Sequence, residues 1–156
     1  MPDEKKFYLT KEGLKKVKKE YEFLKELRVS KTKGDVPGIW QSEDLNPEYL
    51  SFQEDLDFIE KRESELEAVI KNVVLIKAPK GDKKKEVDLG AKIALEVNGE
   101  KDEFIIVGTV EANPSLGRIS NESPVGKALL GHKAGDLVII SSPIKTTYKI
   151  KKIFYS

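Results

Sequence analysis

From Leu14 onward apolar residues return every three or four positions, at Leu14, Val17, Tyr21, Leu24 and Leu27. Lys15, Lys16, Lys18, Lys19, Glu20 and Lys25 fill the positions between. That spacing predicts a helix with a narrow apolar seam, as in a coiled coil. Thr10 supplies an N-cap, with Leu9 before it and Leu14 placed to form a hydrophobic staple. The period lapses between Val29 and Trp40, where Gly34, Pro37 and Gly38 forbid an uninterrupted helix. A second helix is predicted to start with Asn46 as N-cap and Pro47 at the first helical position. Leu56, Ile59, Glu63, Leu66, Ile70 and Val73 lie on its seam, with Phe52 and Phe58 nearby. Glu63 interrupts the stripe, as polar residues do when they fix register. Two antiparallel helices, the second reaching roughly 35–40 Å at ~1.5 Å per residue, make an arm.

Beyond the arm the pattern changes. Lys77 to Asp88 carries proline, glycine and three adjacent lysines, and reads as a linker, residues 78–88. From Ala91 the period is two: Ala91 to Val97 alternates, Asn98-Gly99 signals a hairpin, and Glu103 to Val107 answers as partner strand. Ser123-Pro124 opens a short helix that Gly131 closes. Leu137 to Ile140 reads as a buried strand after the Lys133–Asp136 turn, and Tyr148 to Phe154 alternates again. The fold class is therefore α+β: a helical hairpin over residues 1–77, then a small antiparallel-sheet domain with one helix over residues 89–156.

Composition agrees. In 156 residues the hydrophobic fraction is 38% and the charged fraction 35%, which suits an elongated helical part joined to a small globular one. A net charge of +1 gives no overall pull toward nucleic acid or membrane. Without cysteine there is no disulfide framework, thiolate metal site or cysteine nucleophile. With no long apolar run and no signal peptide, a cytoplasmic protein with no membrane partner is expected.

Candidate chemistry concentrates between the helices. Gln41 to Tyr49 contains Glu43, Asp44 and Glu48 with no basic residue among them. Lys31 and Lys33 just before it could steer toward phosphates. Trp40 either braces the loop or meets a partner or a base. His132, the single histidine, reads as a surface residue and not a ligand.

Three separated motifs, in order, resemble the bacterial Gre family of transcript cleavage factors. Leu9-Thr-Lys-Glu-Gly-Leu14 with Glu22-Phe-Leu-Lys25 resembles the start of the family's first arm. Asp44-Leu45 with Asn46-Pro-Glu-Tyr49 resembles its tip motif. Ser123 to Val138 resembles the Ser-Pro-x-x-x-Ala-Leu-x-Gly stretch of its FKBP-like C-terminal domain. Asp44 falls on the family's tip aspartate. Two residues are missing between Leu45 and Asn46, the family's second metal-binding glutamate among them, and either Glu43 or Glu48 could replace it.

The resemblance implies a monomer with RNA polymerase as partner. The arm would enter the polymerase's secondary channel while the globular domain grips the rim through the Ser123, Pro124, Leu129 and Gly131 stretch. Asp44, with Glu43 or Glu48, would donate carboxylates to a Mg²⁺ shared with the polymerase, and Lys31 and Lys33 would approach the nascent RNA 3′ end. The chain would have no cofactor of its own and would not itself be an enzyme. Two other classes remain. A Gre-like inhibitor would block the same channel, and a peptidyl-prolyl isomerase would need an apolar, aromatic-lined pocket.

Overall fold

The computed structural model describes residues 5–34, 47–141 and 144–155. The expected tip acids Glu43 and Asp44, with Trp40 and the Asn46 cap, lie outside them. Two units are present: residues 14–72, and residues up to Gly13 together with those from Val73 onward.

The first unit is built from α1 (Lys11–Lys33), apart from its first turn, and α2 (Pro47–Lys71). Glu20 bonds Arg62 and Lys31 bonds Asp55, so partners run in opposite sequence directions and the helices are antiparallel. Val17, Leu24, Ile59, Leu66 and Val69 are buried along the seam. Each such side chain contributes on the order of 1.5–3 kcal/mol when removed from water. Glu63 sits where the pattern places it, its side chain only 12% exposed, and Arg28 meets it at 2.9 Å. The seam departs from the sequence pattern at its end. Val69 is the buried residue and Ile70 is half-buried, because 3.6 residues per turn drift against a 3.5 repeat. Val73, expected on the helical seam, has left the helix altogether.

Val73–Leu75 forms β2, which pairs in parallel with β1 (Phe7–Leu9). Both strands fall inside the segment expected as arm, yet they belong to the second unit. The lysine run of the expected linker is a short 3₁₀ turn, Gly81–Lys85. Then come β3 (Lys92–Val97), β4 (Glu100–Val107), β5 (Arg118–Ser120), α3 (Pro124–Leu129), β6 (Leu137–Ile140) and β7 (Thr146–Phe154). The sheet order is β5-β4-β3-β7-β6. All its pairs are antiparallel except β4–β5, which is parallel. Asn98 and Gly99 join β3 to β4 with φ of 51° and 88°, the two positive values a type I′ hairpin needs.

Alternation sends Ile93, Leu95, Ile106, Ile119, Val138 and Ile150 to one face, where Leu129 of α3 completes the core. The expectation of a buried β6 is corrected. Val138 is buried, but Leu137 is 60% and Ile139 57% exposed. A strand at a sheet edge with one covered face buries only alternate residues, whatever the hydrophobicity of the rest.

Candidate functional site

Two regions carry the expected site residues. In the arm, Lys31 and Lys33 occupy the last turn of α1, where cations favour the carbonyl end of the helix dipole. The Lys31 ammonium is 3.2 Å from Asp55 and lies over the Phe52 ring, so it is engaged within the arm. Lys33 is exposed. Glu48 is an exposed residue in the first turn of α2, where a carboxylate faces the positive end of the dipole. Its expected partners Glu43 and Asp44 lie outside the described residues. Among the described residues no group of three or more His, Asp or Glu side chains could hold a metal ion.

In the second unit the Ser123 stretch is a tightly specified turn and cap. Ser123 Oγ accepts from Gly126 N at 3.0 Å and donates to the Ser120 carbonyl at 2.7 Å. Pro124 takes the first helical position. A side chain at Gly126 would collide with the Ser120 carbonyl, so the close approach of α3 to β5 requires glycine there. Gly131 has φ of 83° and donates its N–H to the Val87 carbonyl at 2.9 Å. Of the four residues expected to grip a partner, Pro124 and Gly131 are exposed, Ser123 is half-buried, and Leu129 is fully buried in the core. Leu129 can act only by holding α3 in place.

His132 Nδ1 lies 3.0 Å from Asp136 Oδ2, which also accepts from Lys133 N at 2.9 Å. The Lys133 N–H and then His132 hold the Asp136 carboxyl below the usual carboxylate range. This pair closes the turn into β6 and is half exposed, so His132 has a structural partner.

A cleft of about 600 Å³ in the second unit is lined by Thr10, Lys11, Lys92, Glu111, Arg118 and Tyr155, among others. Its charged lining does not fit an isomerase pocket. Phe104 and Tyr148 pack on each other 6.1 Å apart, and Tyr155 is tied by its hydroxyl to the Glu86 carbonyl.

The exposed pair Leu137 and Ile139 was missed in the sequence. No local signal could have found it, because the place of β6 at the edge is set by the order of five strands.

Residues 7–75 match the family described as "Transcription elongation factor, N-terminal", and residues 72–155 match "Transcription elongation factor, GreA/GreB, C-term". The transcription elongation factor GreA of Thermomicrobium roseum is 41% identical over 137 residues, covering 86% of this chain and 88% of that protein. GreA of Halalkalibacterium halodurans is 38% identical over 154 residues, covering 92% of each. The crystal structure of GreA factor homolog 1 (Gfh1) of Thermus thermophilus is 28% identical, covering 96% of this chain and 99% of that one, with a TM-score of 0.42.

Proposed function

The chain belongs to the GreA/GreB family of transcription elongation factors, and from that premise we propose that it acts on cytoplasmic RNA polymerase by lending carboxylates to the polymerase's own active site. The observation that carries this reading is three acids with no base among them, Glu43 and Asp44 in the sequence between two antiparallel helices and Glu48 in the first turn of the second. In this role the arm would carry these acids into the polymerase's secondary channel, where carboxylates suit a hard cation.

Mg²⁺ is usually held by one or two carboxylates together with phosphate and water. Asp44, with Glu43 or Glu48, is too small a set to hold the ion alone. Beside a polymerase that already positions one metal and the RNA 3′ end, the same residues would complete a second site. Such an ion stabilises the attacking and leaving oxygens of a phosphodiester hydrolysis and lowers the pKa of the attacking water. Lys33 is free to approach RNA phosphates, whereas Lys31 must first leave Asp55, an exposed pair worth little. The factor would supply ligands and position, and the polymerase the reaction. Docking at the channel rim falls to the second unit, with Pro124 and Gly131 offering the accessible part of the Ser123 stretch.

The test is incubation with a backtracked elongation complex, following transcript length on a gel. Shortening of the RNA beyond the polymerase's intrinsic rate supports ligand donation. Slowed extension without shortening would identify a channel blocker instead.

A further inference from the structure

Strand β6 ends the sheet on one side, and β5 ends it on the other. The two edges differ. β5 has three residues, and the backbone of Arg118 exchanges hydrogen bonds with Asn113 at 2.8 and 3.0 Å, so that edge is short and covered. β6 is Leu-Val-Ile-Ile, with no charge, proline or bulge inside it. Natural sheets blunt their edges with just those devices.

The direction of the β6 backbone follows from its neighbours. Gly135, with φ of 95°, donates to the Ile150 carbonyl at 2.7 Å, and Ile150 N donates to the Asp136 carbonyl at 3.0 Å. This is a glycine bulge that makes residue 136 a hydrogen-bonded partner of 150. Antiparallel pairs alternate, so Leu137–Lys149 and Ile139–Thr147 are the non-bonded pairs. Thr147 confirms it: its N–H and carbonyl both engage Asn98 on the opposite side. The N–H and C=O groups of Leu137 and Ile139 therefore point out of the sheet edge, and among the described residues none takes them up. Their side chains stand on the uncovered face, 60% and 57% exposed, and Ile144 beyond them is 76% exposed.

Charge selects the occupant. Lys149 lies directly across from Leu137 on the same face, and Lys133, in the turn before the strand, and Lys145, just before β7, are exposed. Glu96, across from Lys149, is paired with Lys151 at 3.3 Å. A second copy added through β6 would bring the same lysines together. An acidic strand would be matched.

We propose that β6 is a strand-addition site for an extended segment of another protein, with apolar side chains at its centre and carboxylates at its ends. Backbone groups of Leu137 and Ile139 supply the hydrogen bonds, their side chains the apolar contact, and Lys133, Lys145 and Lys149 the preference for acid. The proposal does not depend on the role proposed for the acids of the tip.

The probe is a capped eight-residue peptide with Ile-Thr-Val-Thr at its centre and two glutamates at each end, compared with the same peptide carrying lysines. The full chain is titrated with each and its amide spectrum followed. The glutamate peptide is expected to shift the Leu137 and Ile139 amides saturably and the lysine peptide to leave them unmoved. Ile139→Pro removes an outward N–H that β7 does not use, and should weaken binding roughly tenfold, about the loss of one or two hydrogen bonds. Unchanged β3 and β4 amides report that this variant is folded. Lys149→Glu, an exposed change, should weaken it about threefold and flatten its salt dependence. Equal binding of both peptides, equal affinity in Ile139→Pro, or no shift at β6 would overturn the proposal. So would shifts at Leu137 and Ile139 that follow protein concentration without peptide, since these would make a second copy the occupant.

Discussion

Arg28 Nε donates to Glu63 Oε1 at 2.9 Å, joining α1 to α2 where Glu63 interrupts the apolar seam. Glu63 is the more buried partner, with 12% of its side chain exposed against 38% for Arg28. Removing the arginine leaves a largely desolvated carboxylate without its cation, which costs more than the pair itself gains. Arg28→Ala is therefore expected to lower stability by about 1–2 kcal/mol, discounted for the half-exposed arginine. The double variant Arg28→Ala/Glu63→Leu should recover that loss or exceed it. Thermal melts followed by helical circular dichroism check both. A double variant no more stable than Arg28→Ala would show that the buried carboxylate is not the source of the cost.

Tyr155 closes the end of the chain onto its middle. Its hydroxyl donates to the Glu86 carbonyl at 2.5 Å and accepts from Asp88 N at 3.0 Å. Burial holds the phenol in its neutral form to higher pH than usual. Tyr155→Phe keeps the ring and loses both bonds, so a loss of about 1–2 kcal/mol is expected in chemical denaturation. A second sign is faster hydrogen exchange at the Asp88 amide. Exchange there as slow as in the wild type would show that the amide is protected by something else.

How much of this was legible in the chain depends on the range of the interaction that decides each element. Asn98-Gly99 and Ser123-Pro124 act within a few residues, through positive φ and a side-chain cap, and both stand where the sequence puts them. Glu63 was visible as an interruption, but its partner Arg28, 35 residues away, was not. The β1–β2 pair was invisible, because three residues carry no period and their pairing joins Phe7 to Val73. Ile139 looked like core because hydrophobicity is local, whereas its place at the edge is set by the order of five strands. For the tip, residue type alone is readable. Carboxylates are the ligand type a hard cation takes, and their spacing alone does not choose between Glu43 and Glu48.

The turn into β6 should make stability depend on acid pH. The Asp136 carboxyl titrates below its ordinary value, held there first by the Lys133 N–H and then by His132. A lowered folded-state pKa adds stability above the unfolded-state value, and that addition is lost as pH falls through the folded-state value. Asp136→Asn is therefore expected to melt below the wild type at neutral pH, with the difference closing as the pH falls below about 4. Melting temperatures of both proteins across that range decide it. A gap that stays constant into strong acid would mean the asparagine disturbs the turn by its shape and not by its charge.

The last prediction concerns the three acids Glu43, Asp44 and Glu48. In the proposed role Asp44, which matches the tip aspartate of the family motif, is the first ligand, and Glu43 and Glu48 are the two candidates for the second. An amide in place of an acid keeps the shape and removes the charge that a hard cation needs. Asp44→Asn is therefore expected to abolish stimulated transcript cleavage while leaving affinity for polymerase nearly unchanged, since the proposed docking surface belongs to the second unit. Glu48 stands in the first turn of α2, where the helix dipole already gives a carboxylate a structural use. Glu43 adjoins Asp44 in sequence and has no such helix position to serve. Glu43→Gln should accordingly cost more activity than Glu48→Gln, and Glu48→Gln should show instead as a small loss of helix stability, about 0.3–1 kcal/mol. Excess Mg²⁺ should partly restore a variant that has only weakened its hold on the metal. Cleavage assays at limiting and saturating Mg²⁺, run beside a binding measurement, separate these cases. Full activity of Asp44→Asn at limiting Mg²⁺ would rule out ligand donation by Asp44 and leave occlusion of the channel as the better account of the arm.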